Sequence, residues 1–282
     1  GLCLEQPGDE MIIRKSKTPG IQITKIVGQD LPLETEKNVA GVAGLALLND
    51  LKELKAGFEI EIYKNIKPGS GIGSSAASAA GAVFGINQLL GEPFSAKELI
   101  PFAMQGELLA SGALHADNVA PALLGGFTLV RSYDPLDVIK LPVPEQLMAT
   151  VIHPQLEVKT ADARSVLKHS VSLKNAITQW GNLGGLISAL YTNDYDLLSR
   201  CLHDEIIEPL RSVLIPGFDE VKATALAHGA LGSGISGSGP SIFALSKSKS
   251  TAKEIASAMA DVYRKFEVDY DVHVSKINCE GN

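Results

Sequence analysis

Residues that announce chemistry on their own are scarce. The 282-residue chain has only three cysteines, Cys3, Cys201 and Cys279, far apart and in no C-x-x-C pair. That excludes a disulfide frame and a cysteine zinc site, and it predicts a reducing compartment, the cytoplasm. Positive charge is not in surplus: the net charge is −7, which argues against a general nucleic-acid or anionic-membrane binder. No H-E-x-x-H, no G-x-S-x-G elbow and no cysteine-based site is present, and acids such as Asp204-Glu205 show no dyad spacing. There is no N-x-[ST] sequon, and no stretch reads as a signal peptide. The uncharged run from Pro68 to Gly91 is long enough to span a bilayer. It is dominated by Gly, Ser and Ala and holds Asn87 and Gln88, so it reads as a buried helix.

What the chain has is glycine in the right order. Lys67-Pro68-Gly69-Ser70-Gly71-Ile72-Gly73-Ser74-Ser75-Ala76-Ala77 alternates three glycines, then gives two hydroxyls, then small helix-forming residues. Glycine permits positive φ and lets backbone N–H groups face one point. Ser74 and Ser75 stand where an N-cap belongs, so the spacing predicts a helix over 74–90. A glycine loop entering a helix N-terminus offers free donors and the positive dipole end to an anion. Against a merely flexible Gly-Ser turn, this order favours a polyphosphate cradle. The Walker pattern fails for want of a Lys after the last Gly, and the Rossmann pattern fails at Ser74.

The remaining chain predicts mixed α+β structure. Alternation marks strands at 11–15, 21–25, with a turn at Thr18-Pro19-Gly20, and 58–62. Helices are expected over 38–54, 96–110 with Ser95 as cap, 219–228 and 251–266, and over 172–214 with breaks at Gly181, Gly184-Gly185 and Asn193-Asp194. Strands are expected at 147–152, 241–245 and 271–274. Prolines 142, 144 and 154 suggest a boundary between domains 1–153 and 154–282. Gly232, Gly234 and Gly237 match G-x-G-x-x-G. A helix precedes them and a strand follows, the reverse of a dinucleotide site, so they predict a loop approaching nucleotide or substrate.

The cradle resembles the P-x-x-x-G-[IL]-G-S-S-A-A motif of the GHMP small-molecule kinases. Gly112-Ala113-Leu114-His115-Ala116-Asp117-Asn118-Val119-Ala120-Pro121, Lys159-Thr160-Ala161-Asp162-Ala163-Arg164 and Glu208-Pro209-Leu210-Arg211 resemble segments of the homoserine kinases within that superfamily. The resemblance implies a two-domain α+β fold, ribosomal S5 domain 2-like at the N-terminus and ferredoxin-like at the C-terminus, with the site between. It implies ATP phosphates on residues 67–77 and Mg²⁺ on Ser75 and Glu107. By helix position alone, Glu107 reads more simply as a solvated carboxylate. It implies L-homoserine held by His115, Thr160, Arg164 and Arg211, with Asn118 at the hydroxyl or γ-phosphate and Arg164 offsetting developing charge. Guanidinium suits the substrate carboxylate, which it can bind through two parallel N–H bonds. Expected partners are ATP and homoserine only, in a cytoplasmic homodimer on the route to threonine. A sugar or isoprenoid-precursor kinase, or a nucleotide-binding regulator without chemistry, is the competing reading. Family members begin with a further strand and substrate-touching segment, and Gly1-Leu2 aligns with its end.

Overall fold

The computed structural model describes residues 1–52, 55–156, 163 and 165–282. Strands β1 (Glu10–Ser16) and β2 (Gly20–Val27) flank the expected turn, yet they do not pair with each other. After α1 (Val39–Leu51) the chain returns as β3 (Gly57–Tyr63), which enters between them, antiparallel to β1 and parallel to β2. A parallel pair needs a crossover, and α1 supplies it. Phe58, Ile60 and Ile62 of β3 are buried, while Glu61 turns outward to pair with Arg14 of β1. A one-residue slip would put the acids into the core, which fixes the register.

Helix α2 (Ser74–Leu89) follows and buries Ala76, Ala79, Ala80, Ala82, Val83 and Ile86. Its small residues let α1 and then α3 (Ile100–Ser111) lie close. At Gly106 a Cβ would sit 2.7 Å from the Val39 carbonyl oxygen and 2.8 Å from Ala79 Cβ. That contact sets the neighbouring Glu107 against α2. Helix α3 starts later than Ser95 predicts. The Ser95 N–H and hydroxyl both donate to Glu98 Oε2, making a closed turn ahead of the helix, and Pro101 stands in its first turn. Helix α4 (Val119–Leu124) and the hairpin β4 (Phe127–Tyr133) and β5 (Leu136–Leu141) complete this half.

Strand β6 (Met148–Pro154) opens the second half, followed by α5 (Leu173–Thr192), α6 (Tyr195–Cys201), α7 (Glu208–Arg211) and α8 (Phe218–Ala227). Then come β7 (Gly232–Ile235), β8 (Ile242–Ser246), α9 (Lys249–Lys265) and β9 (Tyr270–Lys276). The sheet runs β7-β8-β6-β9, antiparallel throughout, which is the split β-α-β order of ferredoxin-like domains. Helices α8 and α9 cover it through Val221, Ala225, Ile255, Met259 and Tyr263.

Two expectations are corrected. Helix α5 runs unbroken through Gly181, Gly184 and Gly185 and ends only at Asn193, which is left-handed at φ 54°. Gly185 gives space rather than a break: a Cβ there would lie 2.3 Å from Cys201 Sγ of α6. Gly232 to Ile235 is an edge strand, paired with Ile242–Leu245, and not loop. The 153/154 division between domains is refined as a proposal, since those residues belong to β6 (Met148–Pro154). Both edges of β6 are taken by β8 and β9, so we place the division between β5 and β6.

Candidate active site

The cradle leaves β3 and ends on α2. Gly69, Gly71 and Gly73 all have positive φ, at 73°, 80° and 81°. The expected serine cap is not what forms. Gly73 occupies the N-cap position with no side-chain bond, and the buried Ser74 hydroxyl instead donates to the Ile66 carbonyl at 2.7 Å. The first N–H groups of α2 therefore keep no side-chain acceptor and remain available to an anion.

Beneath this turn is a pair that sequence reading missed. The Lys64 ammonium donates to Asp9, to the Ser74 carbonyl at 2.9 Å and to the Ser78 hydroxyl at 2.9 Å. Asp9 Oδ1 accepts the N–H groups of Asn65 and Ile66 at 2.8 and 2.9 Å. A signal existed, because Lys64 is the next inward position after Phe58, Ile60 and Ile62.

The second glycine segment closes on the cradle from the other half. The Ser236 hydroxyl donates to the Gly71 carbonyl at 2.8 Å, and the Ser241 N–H donates to the Ser70 carbonyl at 3.2 Å. A Cβ on Gly71 would meet the carbonyl oxygens of Ser236 and Gly239 at 2.6 and 2.7 Å, so only glycine permits this backbone contact. Lys67 is exposed and turns toward the same half, reaching Gln155 Oε1 at 2.5 Å and Asp271 at 3.3 Å.

Glu107 is not a solvated helix carboxylate. It is buried, and its Oε1 has no hydrogen-bond partner. Burial pushes its pKa up, and the nearby Asp117 charge adds to that. Hydrogen bonding from the Ser75 hydroxyl, together with His115, pulls it back. A buried carboxylate oxygen without a partner is costly unless a cation meets it. The donor set, one hydroxyl and one carboxylate beside an anion cradle, fits a hard divalent cation that takes its other ligands from phosphate and water. Among the described residues no cluster of three His, Cys, Asp or Glu competes as a metal site.

Asn118 stands at the mouth of the cradle, its Oδ1 3.7 Å from where a Gly73 Cβ would be. Gly71, Ile72, Gly73, Asn118, Ser236 and Gly237 all line one cavity of about 1120 Å³. Arg211 comes from α7. Its Nε donates to the Ala163 carbonyl at 3.1 Å and its guanidinium to the Gly237 carbonyl at 3.2 Å. It lines a smaller recess of about 230 Å³ that shares Ile235 and Gly237 with the large cavity. Ser75, Glu107, His115 and Asn118 are thus gathered at the N-terminal start of α2, and Arg211 approaches through the Gly237 loop. Thr160 and Arg164 lie outside the described residues.

A glycine loop opening a helix with free N–H groups, a buried carboxylate with a partnerless oxygen beside it and a split β-α-β half point to a class of small-molecule kinase. Residues 37–126 match the family model for the GHMP kinases N terminal domain, and 186–265 match that for the GHMP kinases C terminal. The chain is 47% identical to homoserine kinase of Chlorobium phaeobacteroides (strain DSM 266) over 295 aligned positions, covering 100% of this chain and 92% of the relative. Homoserine kinase of Chloroherpeton thalassium is 45% identical with the same coverage. The crystal structure of homoserine kinase from Cytophaga hutchinsonii superposes with a TM-score of 0.95 at 52% identity, over 99% of this chain and 89% of that one. The chain belongs to the homoserine kinases, within the GHMP kinases, and is an ATP-dependent kinase.

Proposed function

We propose that the chain transfers the γ-phosphoryl group of ATP to the hydroxyl of L-homoserine, giving O-phospho-L-homoserine on the route to threonine. The observation that carries the site assignment is the buried Glu107 carboxylate, set beside Ser75 at the uncapped start of α2 with its Oε1 left without a partner. In this reading the backbone of residues 67–77 binds the polyphosphate. Ser75 and Glu107 hold Mg²⁺, which supplies charge neutralisation on the phosphates when bound. Asn118 orients the acceptor hydroxyl or the γ-phosphate beside Gly73. Arg211 and His115, with Thr160 and Arg164, bind homoserine, and Arg164 also offsets developing charge. Phosphoryl transfer through a loose transition state needs mainly alignment and charge stabilisation, so no general base is assigned.

Cytoplasmic location and a homodimer belong to the same reading. No helix among the described residues is long and apolar enough to cross a membrane. The test is ADP release with L-homoserine against a panel containing galactose and mevalonate. Turnover confined to homoserine supports the reading. Preference for another alcohol, or ATP binding without ADP release, overturns it.

A further inference from the structure

The ammonium of Lys64 is the unexpected charge in this molecule. Its side chain is 1% exposed and that of its partner Asp9 4%. Burying both ions is costly, and one apolar pair of similar volume would fill the space without that penalty. Burial also pushes the Lys64 pKa down, opposed by Asp9.

The connections explain what the pair holds. Lys64 bonds two groups one helical turn apart on α2, the Ser74 carbonyl and the Ser78 hydroxyl. Asp9 ties the N–H groups of Asn65 and Ile66, and the Ser74 hydroxyl returns to the Ile66 carbonyl. The end of β3, the entry to the cradle and the first turn of α2 are thereby locked to one ion pair. The pair carries no net charge, so its effect on the helix end is through the hydrogen bonds that fix the backbone.

We propose that Lys64, oriented by Asp9, is a positioning residue for the nucleotide: it fixes the first turn of α2 so that its free N–H groups converge on the phosphates. The proposal rests on the cradle reading above. In this reading both side chains act through the backbone of residues 64–78, to which all their hydrogen bonds but those to each other and to Ser78 run.

The test compares three variants by ADP-release kinetics at varied ATP and varied homoserine, with thermal melting as control. Lys64→Met alone strands a buried carboxylate and lowers the melting temperature sharply. The double variant Asp9→Asn/Lys64→Met removes both charges at similar volume, and its melting transition checks that it folds. Its expected signature is an ATP KM raised about tenfold with the homoserine KM changed less than about twofold, a split that general loosening does not give. Gly73→Ala probes the cradle itself, since that site is open to 3.7 Å but has φ 81°. If Gly73→Ala raises the ATP KM and the double variant does not, the Lys64 proposal fails and the cradle stands. Equal rises in both KM values for the double variant also overturn it. If Gly73→Ala leaves ATP unaffected, it is the cradle reading that fails.

Discussion

The carboxylate of Glu107, on α3, meets the hydroxyl of Ser75 in the first turn of α2, and one of its oxygens is left without a partner. Neither residue has this role within its own helix. The close approach of α3 to α2 at Gly106 creates the pair.

Glu107→Ala is expected to abolish most turnover, by about 100-fold or more, because it removes the one carboxylate ligand proposed for Mg²⁺. ADP release measured across a Mg²⁺ titration checks this, and unchanged activity at every concentration would remove Glu107 from the metal site. Glu107→Gln should be as inactive yet no less stable at neutral pH, since it deletes a buried charge rather than a packed group.

The pH dependence of metal binding follows from the same carboxyl group. Its pKa lies above the ordinary 4.5 chiefly through burial. A metal must displace the proton, so the Mg²⁺ concentration for half-saturation should rise as pH falls through that raised pKa. Calorimetric titration of Mg²⁺–ATP at several pH values should show this in the native protein and not in Glu107→Gln.

His153 sets a separate acid limit on stability. Burial lowers its pKa below 6.5, and its Nδ1 lies 3.2 Å from the buried Ser241 hydroxyl, whose backbone N–H holds the cradle at Ser70. The native state keeps this histidine neutral while the unfolded chain takes up a proton. Its contribution is therefore present above 6.5 and lost as pH falls through the depressed native pKa. The melting temperature should drop over that interval, and less so in His153→Gln. His273 is lowered in the same way, so some dependence should survive.

Arg211→Ala should raise the homoserine KM far more than the ATP KM. Initial rates with each substrate varied will show it, and an effect confined to ATP would mean that Arg211 acts only through the Gly237 carbonyl. Lysine should restore little, because one ammonium cannot serve the Ala163 carbonyl, the Gly237 carbonyl and a carboxylate with a fixed fork.

Ser236→Ala removes the single side-chain bond from the second glycine segment to Gly71. A loss of about 1 kcal/mol is expected in stability, with a several-fold rise in ATP KM. Chemical denaturation and steady-state kinetics measure the two effects separately, and an unchanged ATP KM would show that the Gly71 backbone holds its shape without Ser236.

The sequence by itself determined whatever is local. Three alternating glycines, a small-residue helix and the Phe58-Ile60-Ile62 alternation specify the cradle, α2 and β3, because backbone freedom and side-chain period act over a few residues. Local signals misled where a distant group competed for the same atoms. Ser74 has the right chemistry for a cap, but its hydroxyl is drawn to Ile66; Gly232 to Ile235 look like loop until β8 offers them a partner edge. Only the tertiary structure decided that Glu107 is buried against Ser75, that Lys64 and Asp9 form an ion pair, and that Ser236 closes on Gly71. Those pairings join residues far apart along the chain: the packing of α3 on α2 makes the first, the β1–β3 ladder ending at Glu10 opposite Tyr63 makes the second, and the packing of the two halves makes the third.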